Sequence, residues 1–111
     1  MTSDQIAAFR ASLLKMLTDL DAESARGSED RRTVELDQQS VGRLSRMDAS
    51  QRQAMAKATQ ARRAATKARI RAAMARTDNG EFGYCTDCGE PITQKRLELD
   101  PTAPTCIGCA R

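Results

Sequence analysis

A chain of 111 residues with 30% charged and 3% aromatic side chains has too little bulky apolar material for a broad globular core; small units of this kind lean on a metal or a partner to stay folded. Its net charge of +3 conceals a partition: residues 1–40 carry 5 basic and 8 acidic side chains, residues 41–77 carry 10 and 1, and residues 78–111 carry 3 and 6. No apolar run approaches the roughly eighteen residues that span a bilayer, and Met1-Thr-Ser-Asp-Gln lacks the basic start of an export signal, so no membrane association and a cytoplasmic location with reduced thiols are expected.

Residues 3–25 read as a first helix with Ser3 at its N-cap. Ile6, Phe9, Leu13, Leu17 and Leu20 recur at helical spacing, and Leu14 and Met16 widen that stripe. Gly27 opens a polar stretch, about 27–39, read as a loop or tip with Glu29, Asp30, Glu35 and Asp37. From about 40 to 76 the chain contains no proline, and only Gly42 weakens a long second helix. Positions 44, 47, 51, 54, 58, 61, 65, 68, 72 and 75 keep a 3–4 spacing and read Leu, Met, Gln and then seven alanines. This pattern predicts a seam of small knobs on which the first helix packs antiparallel. Ile70 and Met74 fall outside that seam and are expected to pack against the C-terminal module. Thr77-Asp78-Asn79-Gly80 is a helix stop.

The last quarter carries the chemistry. Cys85-Thr-Asp-Cys88 and Cys106-Ile-Gly-Cys109, seventeen residues apart, hold every cysteine of the chain, and there is no histidine. Two Cys-x-x-Cys pairs at this spacing predict one Zn2+ held by four thiolates, a closed and therefore structural site. Two disulfides are the alternative, disfavoured because reduced thiols are expected. Phe82, Tyr84, Ile92, Leu97, Leu99 and Ile107 are the candidate small core beneath the metal, with Pro91, Pro101 and Pro104 stiffening the intervening loop. The fold expected is mostly α: an antiparallel helical hairpin or coiled coil over 1–79, then a four-cysteine zinc finger over 80–111. Catalysis is not expected, since no nucleophile stands beside a base and no metal position is open.

The finger resembles the DksA/TraR family. Cys85 and Cys88 are followed at the family's spacing by Ile92, Arg96, Pro101, Cys106 and Cys109, and Phe82-Gly83-Tyr84 and Gly89-Glu90 are typical of it. Thr86 departs from the acidic residue or serine usual there. The resemblance covers about thirty residues and implies a bacterial transcription regulator that binds RNA polymerase directly. In that family a helical hairpin enters the secondary channel, its acidic tip approaches the catalytic magnesium region, and the effect is joined to the alarmone ppGpp. The family's tip motif, Asp-x-x-Asp-x-Ala, is kept only in its first acid by Asp37-Gln-Gln-Ser40-Val-Gly42. Asp48, within Met47-Asp48-Ala49, is the second candidate for the tip acid.

Three functional readings follow. In the first, a monomer binds polymerase, and Arg43, Arg46, Arg52, Lys57 and Arg62 form a basic face toward its acidic walls. In the second, the basic helix 43–76 contacts nucleic acid phosphates. The scatter of its charges around the helix and the acidic finger count against direct DNA binding. In the third, the chain is a protein-interaction module without a role in transcription, including a self-associating coil.

Overall fold

The computed structural model describes the backbone of residues 1–38 and 43–110 and the side chains of residues 1–26 and 47–110. Three helices follow one another: α1 over Ser3–Gln38, α2 over Arg43–Asn79 and the short α3 over Gln94–Leu99. The chain divides into two compact units, one made of Met1–Leu17 with Ala68–Arg111 and the other of Thr18–Lys67. Each long helix contributes to both. No helix of the described residues is long and apolar enough to cross a membrane.

The first helix does not end at residue 25. Residues 27–38, expected to form a tip loop, are helical to Gln38. A single glycine inside a helix costs about 1 kcal/mol relative to alanine. The glutamate- and arginine-rich run that follows Gly27 offsets so small a penalty. The cap also differs from expectation, because Thr2 and not Ser3 closes the start. The Thr2 N–H donates to Gln5 Oε1 at 2.9 Å, and the Gln5 N–H donates back to Thr2 Oγ1 at 3.2 Å. Two backbone donors that the helix leaves unpaired are thereby satisfied reciprocally.

The second helix starts at Arg43 and runs three residues beyond the expected end, to Asn79. Gly80 then turns into the left-handed region at φ +80°. The Glu81 N–H reaches back to the Arg76 carbonyl at 3.0 Å. This is the Schellman closure, which a residue with a Cβ adopts only at a cost.

In the unit made of Met1–Leu17 and Ala68–Arg111, the fully buried large side chains are Leu13 from α1, Ile70 from α2 and Leu97 from α3. The Phe9 and Phe82 rings pack with centroids 5.4 Å apart, tilted by 46°. Ala73, Ile92 and Ala103 are also buried. Ile70 thus shares one core with the C-terminal module. The expected participation of Leu99 and Ile107 in that core is corrected: they are 82% and 70% exposed, and Tyr84 is half exposed. Leu99 ends a helix whose inward position is already taken by Leu97, and Ile107 sits on the outer side of a tight Cys-x-x-Cys turn.

The larger correction concerns the seam. On α1 the expected stripe is the inward one: Leu13 is fully buried and Ile6, Phe9, Met16, Leu17 and Leu20 are partly buried, although Leu14 is half exposed. On α2 the described positions of the alanine stripe, 47, 51, 54, 58, 61, 65, 68, 72 and 75, are all exposed. The inward face, widened by Thr59, Thr66, Ala73 and Arg76, instead carries Ala49, Gln53, Ala56, Gln60, Arg63, Lys67, Ile70, Met74 and Thr77, of which Ala49 and Ile70 are buried and the others partly so. This set has the same 3–4 spacing, rotated about the helix axis. Alanine gains little from burial, so a stripe of alanines has only a weak claim on the interior. The rotated register instead places Ile70 and Met74 inside, and sets Arg63 and Lys67 against acids of α1. Within the Thr18–Lys67 unit, Lys67 pairs with Asp21 at 2.9 Å and Arg63 with Glu23 at 3.6 Å. One number rises as the other falls, so the helices run antiparallel.

Candidate metal centre

Each Cys-x-x-Cys pair is built into a turn by its own backbone. In the first turn, Gly89 N–H donates to the Cys85 carbonyl at 3.0 Å, and Cys85 N–H donates to the Glu90 carbonyl at 2.8 Å. Gly89 sits at φ +76°, which bends the chain back under the two sulfurs. The second turn is closed by the N–H groups of Cys109 and Ala110, both donating to the Cys106 carbonyl at 3.1 and 3.0 Å. Two further bonds hold the turns face to face. The Thr86 N–H donates to the Pro104 carbonyl at 2.9 Å, and Arg96 Nε donates to the Thr105 carbonyl at 2.9 Å. Arg96 thereby fixes the residue just before Cys106.

The four sulfurs lie within 4.8 Å of one another. A tetrahedron of Zn–S bonds of about 2.3 Å separates its sulfurs by about 3.8 Å. The Cys88 and Cys106 sulfurs are 3.7 Å apart, a distance that suits an ion between them and is far beyond a disulfide bond. All four cysteines are free thiols.

Their electrostatics are those of a cation site. The Cys85 thiol is pulled down to about 6 by the backbone N–H of Cys88, then by that of Cys106. The neighbouring sulfurs of Cys106, Cys88 and Cys85 push Cys109 up to about 12. At Cys88 the Glu90 N–H favours the thiolate, but the thiols of Cys85 and Cys106 together with burial outweigh it and raise the group. Four thiols packed this closely ionise together only with a positive charge among them.

The finger is fastened to α2 by a cluster that the sequence reading passed over. Asp100 Oδ1 accepts the Thr102 N–H at 3.1 Å and its hydroxyl at 2.6 Å. Arg69 donates to Thr102 Oγ1 at 3.0 Å and to Asp100 Oδ2 at 3.3 Å. Arg76 reaches the Thr102 carbonyl at 3.4 Å, and partial burial lowers its pKa. The sequence signal was Asp100-Pro101-Thr102, the pattern of an aspartate folding over its own backbone two residues on.

Residues 80–111 match the family described as the prokaryotic dksA/traR C4-type zinc finger. The match is confined to the finger, under a third of the chain. The RNA polymerase-binding transcription factor DksA of Haemophilus influenzae is 49% identical to this chain over 41 residues, which are 37% of the chain and 28% of that protein. The factor of the same name from Escherichia coli K12 is 42% identical over 41 residues, 27% of its length. The match therefore spans under a third of these curated relatives. A solved structure of transcription factor DksA2 from Pseudomonas aeruginosa aligns with a TM-score of 0.85 at 27% identity, covering 95% of this chain and 79% of that one. With a C4-type family and four convergent thiols, the cofactor is one zinc ion.

The other expected site residues are more scattered. Asp48 is exposed in the second turn of α2, and Arg52, Lys57 and Arg62 are exposed further along that helix. Arg62 donates to Thr59 Oγ1 one turn back, at 3.1 Å. The side chains of Asp37, Arg43 and Arg46 lie outside the described residues. Asp37 falls in the last turn of α1, and not in a loop.

Proposed function

We propose that this chain binds RNA polymerase directly and modulates transcription initiation, with Cys85, Cys88, Cys106 and Cys109 holding a structural zinc ion. The finger's identity to proteins named as RNA polymerase-binding transcription factors carries this reading. The 0.85 TM-score against DksA2 over 95% of the chain supports extending it from the finger to the helices. In this reading the helices are presented to the secondary channel as a monomer. The end at which α1 stops at Gln38 and α2 starts at Arg43 approaches the catalytic magnesium region. Asp37 or Asp48 supplies the acid there, and Arg52, Lys57 and Arg62 with Arg43 and Arg46 face acidic channel walls. The alarmone ppGpp is the candidate co-effector. The zinc has no part in chemistry; it holds the finger folded so that Arg69 and Arg76 have their partners.

The test is transcription in vitro with purified bacterial polymerase, with and without the zinc-loaded chain and with and without ppGpp. A change in initiation, with capture of polymerase on the immobilised chain, is expected. No capture and no change would remove the proposal. Direct binding of nucleic acid through the exposed arginines is measured in the same preparation by filter binding at two salt concentrations. A steep loss of DNA affinity with salt would favour that reading.

A further inference from the structure

In the Thr18–Lys67 unit the described residues that join the helices are more polar than those packed in the unit that contains the finger. Among the described residues its inward positions on α2 are Ala49, Gln53, Ala56, Thr59, Gln60, Arg63, Thr66 and Lys67, and those on α1 are Leu20, Glu23 and Ser24. Leu20 is the one large apolar side chain in that set. Gln60 Oε1 is sealed from solvent with no hydrogen-bond partner. Polar links join the helices here. Lys67 Nζ meets Asp21 Oδ1 and Ser24 Oγ, both at 2.9 Å. Arg63 meets the Glu23 carboxylate at 3.6 Å and the Glu23 carbonyl at 3.4 Å. The acids of these pairs, Asp21 and Glu23, are each about half exposed, at 56% and 45%.

These observations have a common consequence. Ion pairs with a partner in solvent weaken as salt rises, because the screening length shrinks from about 10 Å at 0.1 M to about 3 Å at 1 M. A buried amide oxygen without a partner disfavours the closed form by the full cost of its lost hydration. Among the described residues of this unit, little apolar area opposes either effect. The other unit also carries two exposed ion pairs, Arg10–Asp78 at 3.1 Å and Arg69–Asp100 at 3.3 Å, but there Leu13, Ile70 and Leu97 are fully buried, and such packing does not weaken with salt. We propose that the Thr18–Lys67 unit is a charge-clasped segment whose helices part reversibly as ionic strength rises, while the zinc-bearing unit stays closed. The inference stands on this chain alone and holds whether or not polymerase is the partner.

Hydrogen exchange on the zinc-loaded full chain, at one pH and at about 50 mM and about 1 M NaCl, reads both units at once. Amides over residues 49–66 are expected to exchange about tenfold faster at the higher salt. Amides over 70–79 are expected to change by less than about twofold and serve as the internal reference. Two variants test the cause. Lys67→Met should abolish most of the salt response. Gln60→Leu should slow exchange over 49–66 by about tenfold at either salt, since the unpartnered oxygen is gone. Salt-independent exchange over 49–66, equal acceleration in both units, or exchange in Gln60→Leu no slower than in the parent chain would each overturn the proposal.

Discussion

The register of α2 is open to a paired test, because the two possible seams forecast opposite results. Ile70 is fully buried, and Ala61 is exposed. Ile70→Ala removes three carbons, worth about 2.4 kcal/mol of transfer at about 0.8 kcal/mol each. The cavity left among the core side chains raises the loss to roughly 3–4 kcal/mol. For a unit of this size, each kcal/mol moves the melting midpoint by about 4–8 °C, so Tm should fall by about 12 °C or more. Ala61→Leu adds bulk to a solvent-facing position with a residue almost as good at forming helix. Its effect should stay within about 0.5 kcal/mol. Circular dichroism during heating and urea titration of the zinc-loaded chain measures both. A seam through position 61 forecasts the reverse, with the larger side chain of Ala61→Leu overpacking it at a cost of about 1–3 kcal/mol. A clear loss in Ala61→Leu beside a mild one in Ile70→Ala would refute the burial pattern described for α2.

Further expectations concern the finger and the acids. Cys88→Ser should lose zinc and unfold residues 80–111; elemental analysis returning one zinc per chain would contradict the site. Cys88 and Cys109 hold their protons above the ordinary thiol range, so zinc binding should displace at least about two protons near neutral pH and tighten as pH rises. Calorimetry in buffers of different ionisation enthalpy counts them, and a count near zero would show that the thiols do not bind as a set. Gly83 sits at φ +91°, where an added Cβ would lie 2.9 Å from the flexible end of Met1. Gly83→Ala should therefore cost about 1–2 kcal/mol of backbone strain, read from the urea midpoint. Asp37→Asn and Asp48→Asn should each leave polymerase capture intact, and the one that alters initiation identifies the acting acid. If neither does, the tip acid lies elsewhere.

The metal centre was legible because its determinants are local and chemically exclusive. Four cysteines at fixed spacing, glycines at the turns and no histidine leave one economical arrangement, and the sulfurs converge as that spacing requires. The α1 stripe was legible for a related reason: Ile6, Phe9, Leu13 and Leu17 are large, and burying large side chains dominates what a helix face does. The continuation of α1 to Gln38 is not legible from Gly27, because a cost of about 1 kcal/mol is too small to end a helix by itself. The Asp100–Thr102–Arg69 cluster is not legible because Arg69 stands 31 and 33 residues from its partners Asp100 and Thr102 in the chain.

The seam of α2 was misread for a deeper reason, which also bears on the charges. Counting apolar residues favours the stripe with more alanines, yet each alanine contributes little area. The face that turns inward carries Arg63 and Lys67, whose carboxylate partners sit on α1. The basic surplus of residues 41–77 is therefore partly an internal affair. Arg63, Lys67 and Arg69 are matched by Glu23, Asp21 and Asp100. What projects outward from the described part of α2 includes Arg52, Lys57, Arg62 and Arg71, a smaller charge than the sequence total suggests. Any polyanionic or acidic partner should accordingly bind with a salt dependence set by these outward cations and not by all 10 basic residues of that stretch.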